Sequence, residues 1–251
     1  MKVSLCVITL NERENLERCL ESAADLVDEI MILDSGSTDG TQRIAEKYGA
    51  RWETQEWLGF VGQKNRLIDL AQNEWILSLD ADEALSPPLR EEIKRLKARE
   101  IPDSISGFSM PRCVFYEGKW IRHGDWYPDR LVRLFRKAKG RFEGGKVHER
   151  LEVDGGIELL RRDIEHYSFK DAADHRARGS KYAELWAETA FESGKRASVL
   201  DPWTHAMFRW IRSFLLRGGF LDGRRGAQIA AISSREVFRK YQLLREMEGE
   251  S

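Results

Sequence analysis

The chain has 251 residues, 41% of them hydrophobic and 33% charged, with a formal net charge of −1. Its 8 Trp, 11 Phe and 6 Tyr exclude disorder as the main state, and the lack of any repeating period excludes solenoid, collagenous and low-complexity architectures. No stretch approaches the roughly 18 apolar residues that span a bilayer, and the N-terminus has no charged-then-apolar leader layout, so a cytoplasmic protein is expected.

In chain order, residues 2–10 (KVSLCVITL) form a β-branched apolar run of strand length. Asn11 with Glu14 three residues on has the layout of a capping box, and Leu16, Leu20, Ala23 and Ala24 follow at helical spacing. A second apolar run, EIMILD, ends in the turn-rich segment DSGSTDG, which opens a helix through Ile44, Ala45 and Tyr48. Residues 63–72 read as a further helix. A third run, WILSLDADE, ends in carboxylates, and Ser86-Pro87 starts a helix reaching about Arg99. Strands that are nearly continuous apolar runs, alternating with helices, predict an α/β fold around a mostly parallel sheet buried on both faces.

From about 105 to 169 the pieces become shorter, aromatic and charged, and they read as irregular strands and loops over the site. From about 172 the pattern is helical. The expected division is therefore residues 1–170 as an α/β domain and 171–251 as a helical appendix. The charge is uneven: residues 1–100 carry 13 basic and 20 acidic side chains, and residues 195–245 carry 11 basic and 3 acidic. Trp203, Met207, Trp210, Ile211, Phe214 and Leu215 share one helical stripe near Arg209, Arg212 and Arg217. Such a stripe suits a core face, and its basic surroundings also suit an anionic membrane surface. No nucleic-acid module accompanies it, so nucleic acid is not an expected partner. Cys6, Cys19 and Cys113 are odd in number and scattered, and buried reduced thiols are expected.

Three consecutive strands end in polar clusters: Thr9-Leu10-Asn11-Glu12, Asp34-Ser35-Gly36-Ser37 and Asp80-Ala81-Asp82-Glu83. In open parallel sheets, ligands bind beyond such carboxyl ends. Two carboxylates spaced as in Asp80-Ala81-Asp82 can hold a hard divalent cation that bridges phosphate oxygens, or can simply cap a turn. A haloacid-dehalogenase-type phosphatase also places D-x-D at a strand end, but on the first strand and with a different following residue. A nucleotidyltransferase needs a Gly-rich basic loop that TLNERE does not supply, and no dinucleotide or P-loop fingerprint occurs. His148, His166 and the arginines of RLVRLFR are further candidates. Arg130 or Arg133 could grip a phosphorylated acceptor through a guanidinium fork. His123, His175 and His205 suggest no role.

Taken together, Val7-Ile8-Thr9-Leu10-Asn11-Glu12, Asp34-Ser35-Gly36-Ser37-Thr38-Asp39-Gly40, Gly62-Gln63-Lys64-Asn65 and Asp80-Ala81-Asp82 resemble the inverting glycosyltransferases of family 2, which have the GT-A fold. Asp125-Trp126-Tyr127-Pro128, Arg130 to Arg136, Val147-His148-Glu149 and Gly219-Phe220-Leu221-Asp222-Gly223 resemble the lipopolysaccharide-core β-glucosyltransferase subgroup. The resemblance implies a UDP-sugar donor, with Thr9, Asn11, Glu12, Asp34, Ser35, Lys64, Asp80 and Ala81 around the nucleotide and Asp34 reading the uracil. It implies Mg²⁺ or Mn²⁺ on Asp82 and Glu149 as the base, with Asp125 and Asp129 in reserve; His166, in I-E-H-Y, could be a further metal or phosphate contact. Arg130, Arg133 and His148 would face the acceptor, a lipid-linked or lipopolysaccharide glycan. A non-catalytic nucleotide-sugar-binding scaffold is the alternative outside this class.

Overall fold

The apolar runs become a stack of buried strands. A computed structural model describes residues 1–144 and 149–249. The first half contains β1 (Val3–Thr9), α1 (Leu16–Ala23), β2 (Glu29–Asp34), α2 (Thr41–Lys47), β3 (Arg51–Thr54), α3 (Gly59–Leu70), β4 (Trp75–Ser78), β5 (Glu83–Leu85) and α4 (Pro87–Lys97). Strands β3, β2, β1 and β4 lie side by side and parallel. Period-two alternation sends Leu5 and Val7 of β1 to a core shared with α1, α2 and α4. Cys6 points the other way, into a core shared with Leu67 and Ile68 of α3. Both faces of the sheet are thus covered, as the continuous apolar runs predict.

The next stretch is more regular than the sequence suggests. It holds β6 (Ile105–Tyr116), β7 (Lys119–Ile121), β8 (Asp129–Arg136), β9 (Gly140–Gly144), β10 (Glu149–Val153), β11 (Gly156–Leu159) and β12 (Ile164–His166). Most of these strands extend the central sheet in the order β4-β8-β6-β12-β5, with β8 antiparallel to β4 and to β6. The loops expected over 105–169 are therefore largely sheet. Gly107, Ser109, Pro111 and Arg112 interrupt the apolar pattern of β6, yet strand pairing on both sides supplies the backbone hydrogen bonds that hold it extended.

Two boundaries also differ. The first helix begins at Leu16 and not at Asn11. Asn11 adopts a left-handed backbone (φ 57°), its Oδ1 accepts from the Thr38 amide at 2.9 Å and its own amide donates to Ser37 Oγ at 2.7 Å. Tied to the neighbouring loop, the chain winds only after Glu12, whose carbonyl accepts from the Asn15 and Leu16 amides. The edge strand β3 was not expected, because four residues, none of them buried, give little periodic signal. Ser86 does cap α4, accepting from the Leu89 amide.

By contact, the chain divides into two units, Met1–Arg112 with Asp129–His166, and Cys113–Pro128 with Tyr167–Ser251. Segment 113–128, within the first domain by sequence pattern, goes with the helices. Those helices are α5 (Ala172–Glu192), α6 (Asp201–Ile211) and α7 (Arg224–Gly249). Tyr116, Ile121, Ala172, Ile229 and Ile232 form this second unit's core. The Gly-Phe-Leu-Asp-Gly segment is tied to the residues after β7 and to the start of α7: Asp222 accepts from the amides of Arg122 and His123, and Gly226 presses on Gly219. A Cβ on Gly226 would fall 1.8 Å from the Gly219 carbonyl oxygen. Cys6, Cys19 and Cys113 are buried and outside any disulfide, Cys113 Sγ donating to the Ile121 carbonyl, and burial pushes the Cys6 and Cys19 thiols up in pKa. Among the described residues no helix is long and apolar enough to cross a membrane.

Candidate active site

Parallel pairing sets the carboxyl ends of β2, β1 and β4 side by side, with Thr9 in register with Asp34 and Cys6 with Ser78. Asp34 is buried, and its carboxylate organises its own loop. Oδ1 accepts from Thr9 Oγ1 at 2.8 Å and from Ser37 Oγ, while Oδ2 accepts from the Gly36 and Ser37 amides at 2.7 Å. Four donors fill its acceptor positions, so Asp34 holds the loop and leaves no free lone pair for a nucleobase. Its neighbour Ser35 is partly exposed and accepts from Gln63 Nε2 at 3.0 Å.

Two consecutive residues of α3 staple the strand ends together. Gln63 reaches Ser35 beyond β2. Lys64, only 5% exposed, places Nζ 2.8 Å from Asp80 Oδ1 beyond β4 and 3.5 Å from Glu149 Oε1 at the start of β10. Asn65 fixes α3 to β9 by exchanging two 2.9 Å hydrogen bonds with the Phe142 backbone. A buried lysine needs counter-charge, and Asp80 and Glu149 supply it.

The two aspartates of D-x-D are not equivalent. Antiparallel register between β4 and β8 (Leu77 opposite Leu134) brings Arg133 to the end of β4. There Arg133 donates through NH2 to Asp80 Oδ2 and to Glu83 Oε1, both at 2.7 Å. Arg112 also donates to Glu83 Oε1, at 3.1 Å, and to Asp129. Burial alone would raise the Asp80 pKa, but Arg133 and Lys64 override it and hold the carboxyl well below the usual range. Burial would likewise lower the Arg133 pKa, and Asp80 and Glu83 raise it instead. Asp80 is thus a neutralised, fixed carboxylate.

Asp82 has a different neighbour. The short β5–β12 ladder pairs Glu83 with His166, and His166 Nε2 lies 3.3 Å from Asp82 Oδ2. The ring's Nδ1 is buried with no hydrogen-bond partner among the described residues. Adjacent ligands of a six-coordinate Mg²⁺ or Mn²⁺ stand about 3 Å apart, so this carboxylate–imidazole pair fits such an ion. No cluster of three or more such ligands occurs among the described residues. A cation here would draw its remaining ligands from water and bound phosphate, as hard divalent ions commonly do.

Other candidates lie elsewhere. Asp125 belongs to the second unit, where Arg209, Arg212 and Arg217 surround its nearly buried carboxylate. Asp129 is paired with Arg112. Arg133 was expected at an acceptor, but at 5% exposure with its charge spent on Asp80 and Glu83 it belongs to the wall of the site. Arg130 is exposed and donates to the Leu160 carbonyl. Glu12 accepts from Asn15 Nδ2 and Ala81 is buried. His148 lies outside the described residues. Glu83, Gln63 and Arg112 carry much of the architecture and had no assigned part. The sequence hints were the place of Gln63 beside Lys64 in the Gly62–Asn65 motif and a third acidic residue directly after D-A-D.

With this geometry in place, comparison with known proteins gives three findings. The family described as Glycosyl transferase family 2 matches residues 4–163. The lipopolysaccharide core biosynthesis glycosyltransferase LpsC of Rhizobium meliloti is 30% identical, covering 97% of this chain and 94% of its own; an uncharacterized glycosyltransferase of Rickettsia felis is also 30% identical, covering 98% and 90%. The structure of glucosyl-3-phosphoglycerate synthase from Mycobacterium tuberculosis in complex with phosphoglyceric acid superposes with a TM-score of 0.50 at 18% identity, covering 78% of this chain and 81% of that one.

Proposed function

This chain belongs to glycosyl transferase family 2 and has its GT-A α/β fold, and on that premise we propose that it moves glucose from UDP-glucose onto a heptose of the lipopolysaccharide inner core, or onto a similar glycan, with inversion at the anomeric carbon. The observation that carries the reading is the split within D-x-D: Asp80 is neutralised by Lys64 and Arg133, and Asp82 stands with His166. A site for a nucleoside diphosphate needs one fixed carboxylate beside the nucleoside and one free for the cation on the phosphates. The name of the Rhizobium relative supports the acceptor class.

In this reading Asp82 and His166 would hold Mg²⁺ or Mn²⁺, which would supply charge to stabilise the departing diphosphate. Thr9, Asn11, Glu12 and Ser35 line the nucleotide side, and Lys64 adds positive charge near the phosphates. Glu149, partly exposed, is the base. It accepts the proton of the acceptor hydroxyl as that oxygen bonds to the anomeric carbon, and the bond from that carbon to the diphosphate oxygen breaks with its electron pair leaving on UDP. Asp125 is held by three arginines and Asp129 by Arg112 at 2.7 Å, whereas Glu149 has the looser 3.5 Å contact with Lys64, which supports Glu149 over them. The reaction takes place on the inner face of the cytoplasmic membrane.

Calorimetric titration of UDP with Mn²⁺, and again with EDTA, tests the site. Wild type is expected to bind only with metal, and Asp82→Ala is expected to abolish that binding. Absence of UDP binding in wild type under both conditions would refute the reading. Glu149→Gln is expected to keep UDP affinity within a few-fold and to lose at least about 100-fold in transfer rate, the scale of a removed general base. Full UDP binding with transfer indifferent to both substitutions would point to a scaffold.

A further inference from the structure

Two cavities flank α7, and they differ in chemistry. The first, about 620 Å³ between α5 and α7, is lined by Arg176, Arg235 and Arg239, the last also in a 3.4 Å contact with Glu246. Its one acidic lining residue, Glu236, is paired with Lys240 at 2.7 Å. Among the described residues, the guanidinium groups of Arg176 and Arg235 make no hydrogen bond or ion pair. The second, about 550 Å³ between α6 and α7, is lined mainly by Trp203, Met207, Trp210 and Phe238. Both volumes fall in the roughly 300–1,000 Å³ range of small-molecule sites. Arg235 and Phe238 line both cavities, so the cationic one and the aromatic one meet along α7.

The apolar side chains do not turn inward. Trp203 and Met207 are 67% and 61% exposed, and Phe208, Leu215 and Leu216 are also at least half exposed. Large contiguous apolar surface is rare on a soluble monomer and marks a contact. A free anion would satisfy the arginines and leave the aromatic groove open to water. A neutral apolar partner would do the reverse. An amphiphile with an anionic head and a hydrocarbon tail satisfies both, and the excess of 11 basic over 3 acidic side chains in residues 195–245 favours an anionic bilayer.

We propose that the α5–α6–α7 face seats an anionic phospholipid of the membrane surface, its phosphate against Arg176, Arg235 and Arg239 and an acyl chain along Trp203, Met207, Trp210 and Phe238. This site lies wholly in the helical unit, so it stands or falls independently of the transfer reaction.

The test uses the full chain with sedimented vesicles of phosphatidylcholine, with and without phosphatidylglycerol. Wild type is expected to sediment only with phosphatidylglycerol present. Arg176→Gln with Arg235→Gln is expected to weaken partitioning roughly thirtyfold, from about 1 kcal/mol per surface arginine. Both side chains are exposed and unpaired among the described residues, so an unchanged melting temperature is expected for this variant. Trp203→Ser with Met207→Ser is expected to weaken partitioning while keeping its requirement for phosphatidylglycerol, and vesicle binding by wild type is followed in parallel by tryptophan fluorescence. Equal sedimentation with both vesicle types, or sedimentation that survives both double variants, overturns the proposal. So does inorganic phosphate alone reproducing the fluorescence change given by phosphatidylglycerol vesicles, which would assign the arginines to a free anion.

Discussion

Arg133 illustrates how one buried charge can set the character of a site without touching a substrate. Its NH2 group serves Asp80 and Glu83 together, and both carboxylates depend on it. Breaking a buried pair costs about 3–5 kcal/mol, because an uncompensated charge stays behind. Arg112 still reaches Glu83, which places Arg133→Met near the lower end, a loss of about 3 kcal/mol in urea denaturation. Arg133→Lys keeps the charge, but its shorter side chain ends in a compact, strongly hydrated ammonium that reaches the two carboxylates less well, and it is expected to fall between wild type and Arg133→Met. Freed from Arg133, Asp80 would move off its present position, so UDP affinity should fall in the same order as stability. An Arg133→Met protein of wild-type stability would show that Lys64 alone neutralises Asp80.

At the scale of elements, legibility follows the strength of the local signal. β1, β2 and β4 were readable because strands covered on both faces are nearly continuous apolar runs, and α5 to α7 because their apolar residues recur at helical spacing. β3 was not, being four residues at an edge, and β6 was hidden by Gly107, Pro111 and Arg112 within its length. Of the candidate site, the sequence disclosed which strand ends carry polar residues. It could not disclose which aspartate of D-x-D is neutralised, because that depends on Arg133 arriving through the β4–β8 register and His166 through the β5–β12 register. Gly226 is another case where spacing says little and packing much. Since a Cβ there would overlap a backbone oxygen at 1.8 Å, α7 would have to shift off the Gly219 turn. Gly226→Ala is expected to cost about 3 kcal/mol, the upper range for overpacking, as a lowered melting temperature. Gly249→Ala, on the same helix with nothing within 4 Å, is the control and should leave it unchanged.

For the molecule as a whole, the two units should respond to acid at different pH. In the second unit, His175 is buried among Tyr116, Trp126 and Phe169, with Nδ1 3.2 Å from Tyr116 Oη. Burial lowers its pKa from about 6.5 to about 4, Glu236 opposing and Arg176 assisting. The folded state thus refuses a proton that the unfolded state accepts between those values. The stability this neutral imidazole contributes is full above pH 6.5 and is lost as pH falls toward 4, at up to about 1.4 kcal/mol per pH unit. In the first unit, Asp80 is held below the ordinary carboxylate range, so its contribution is present above about pH 4 and is lost only below that. Between pH 6.5 and 4 the helical unit should therefore weaken first. Hydrogen exchange corrected for intrinsic rates should show protection falling in peptides from 113–128 and 167–192 while those covering β1, β2 and β4 hold. His175→Phe, which cannot take up a proton, should flatten that dependence even though it forfeits the contact with Tyr116. A slope unchanged in His175→Phe would place the titrating group elsewhere.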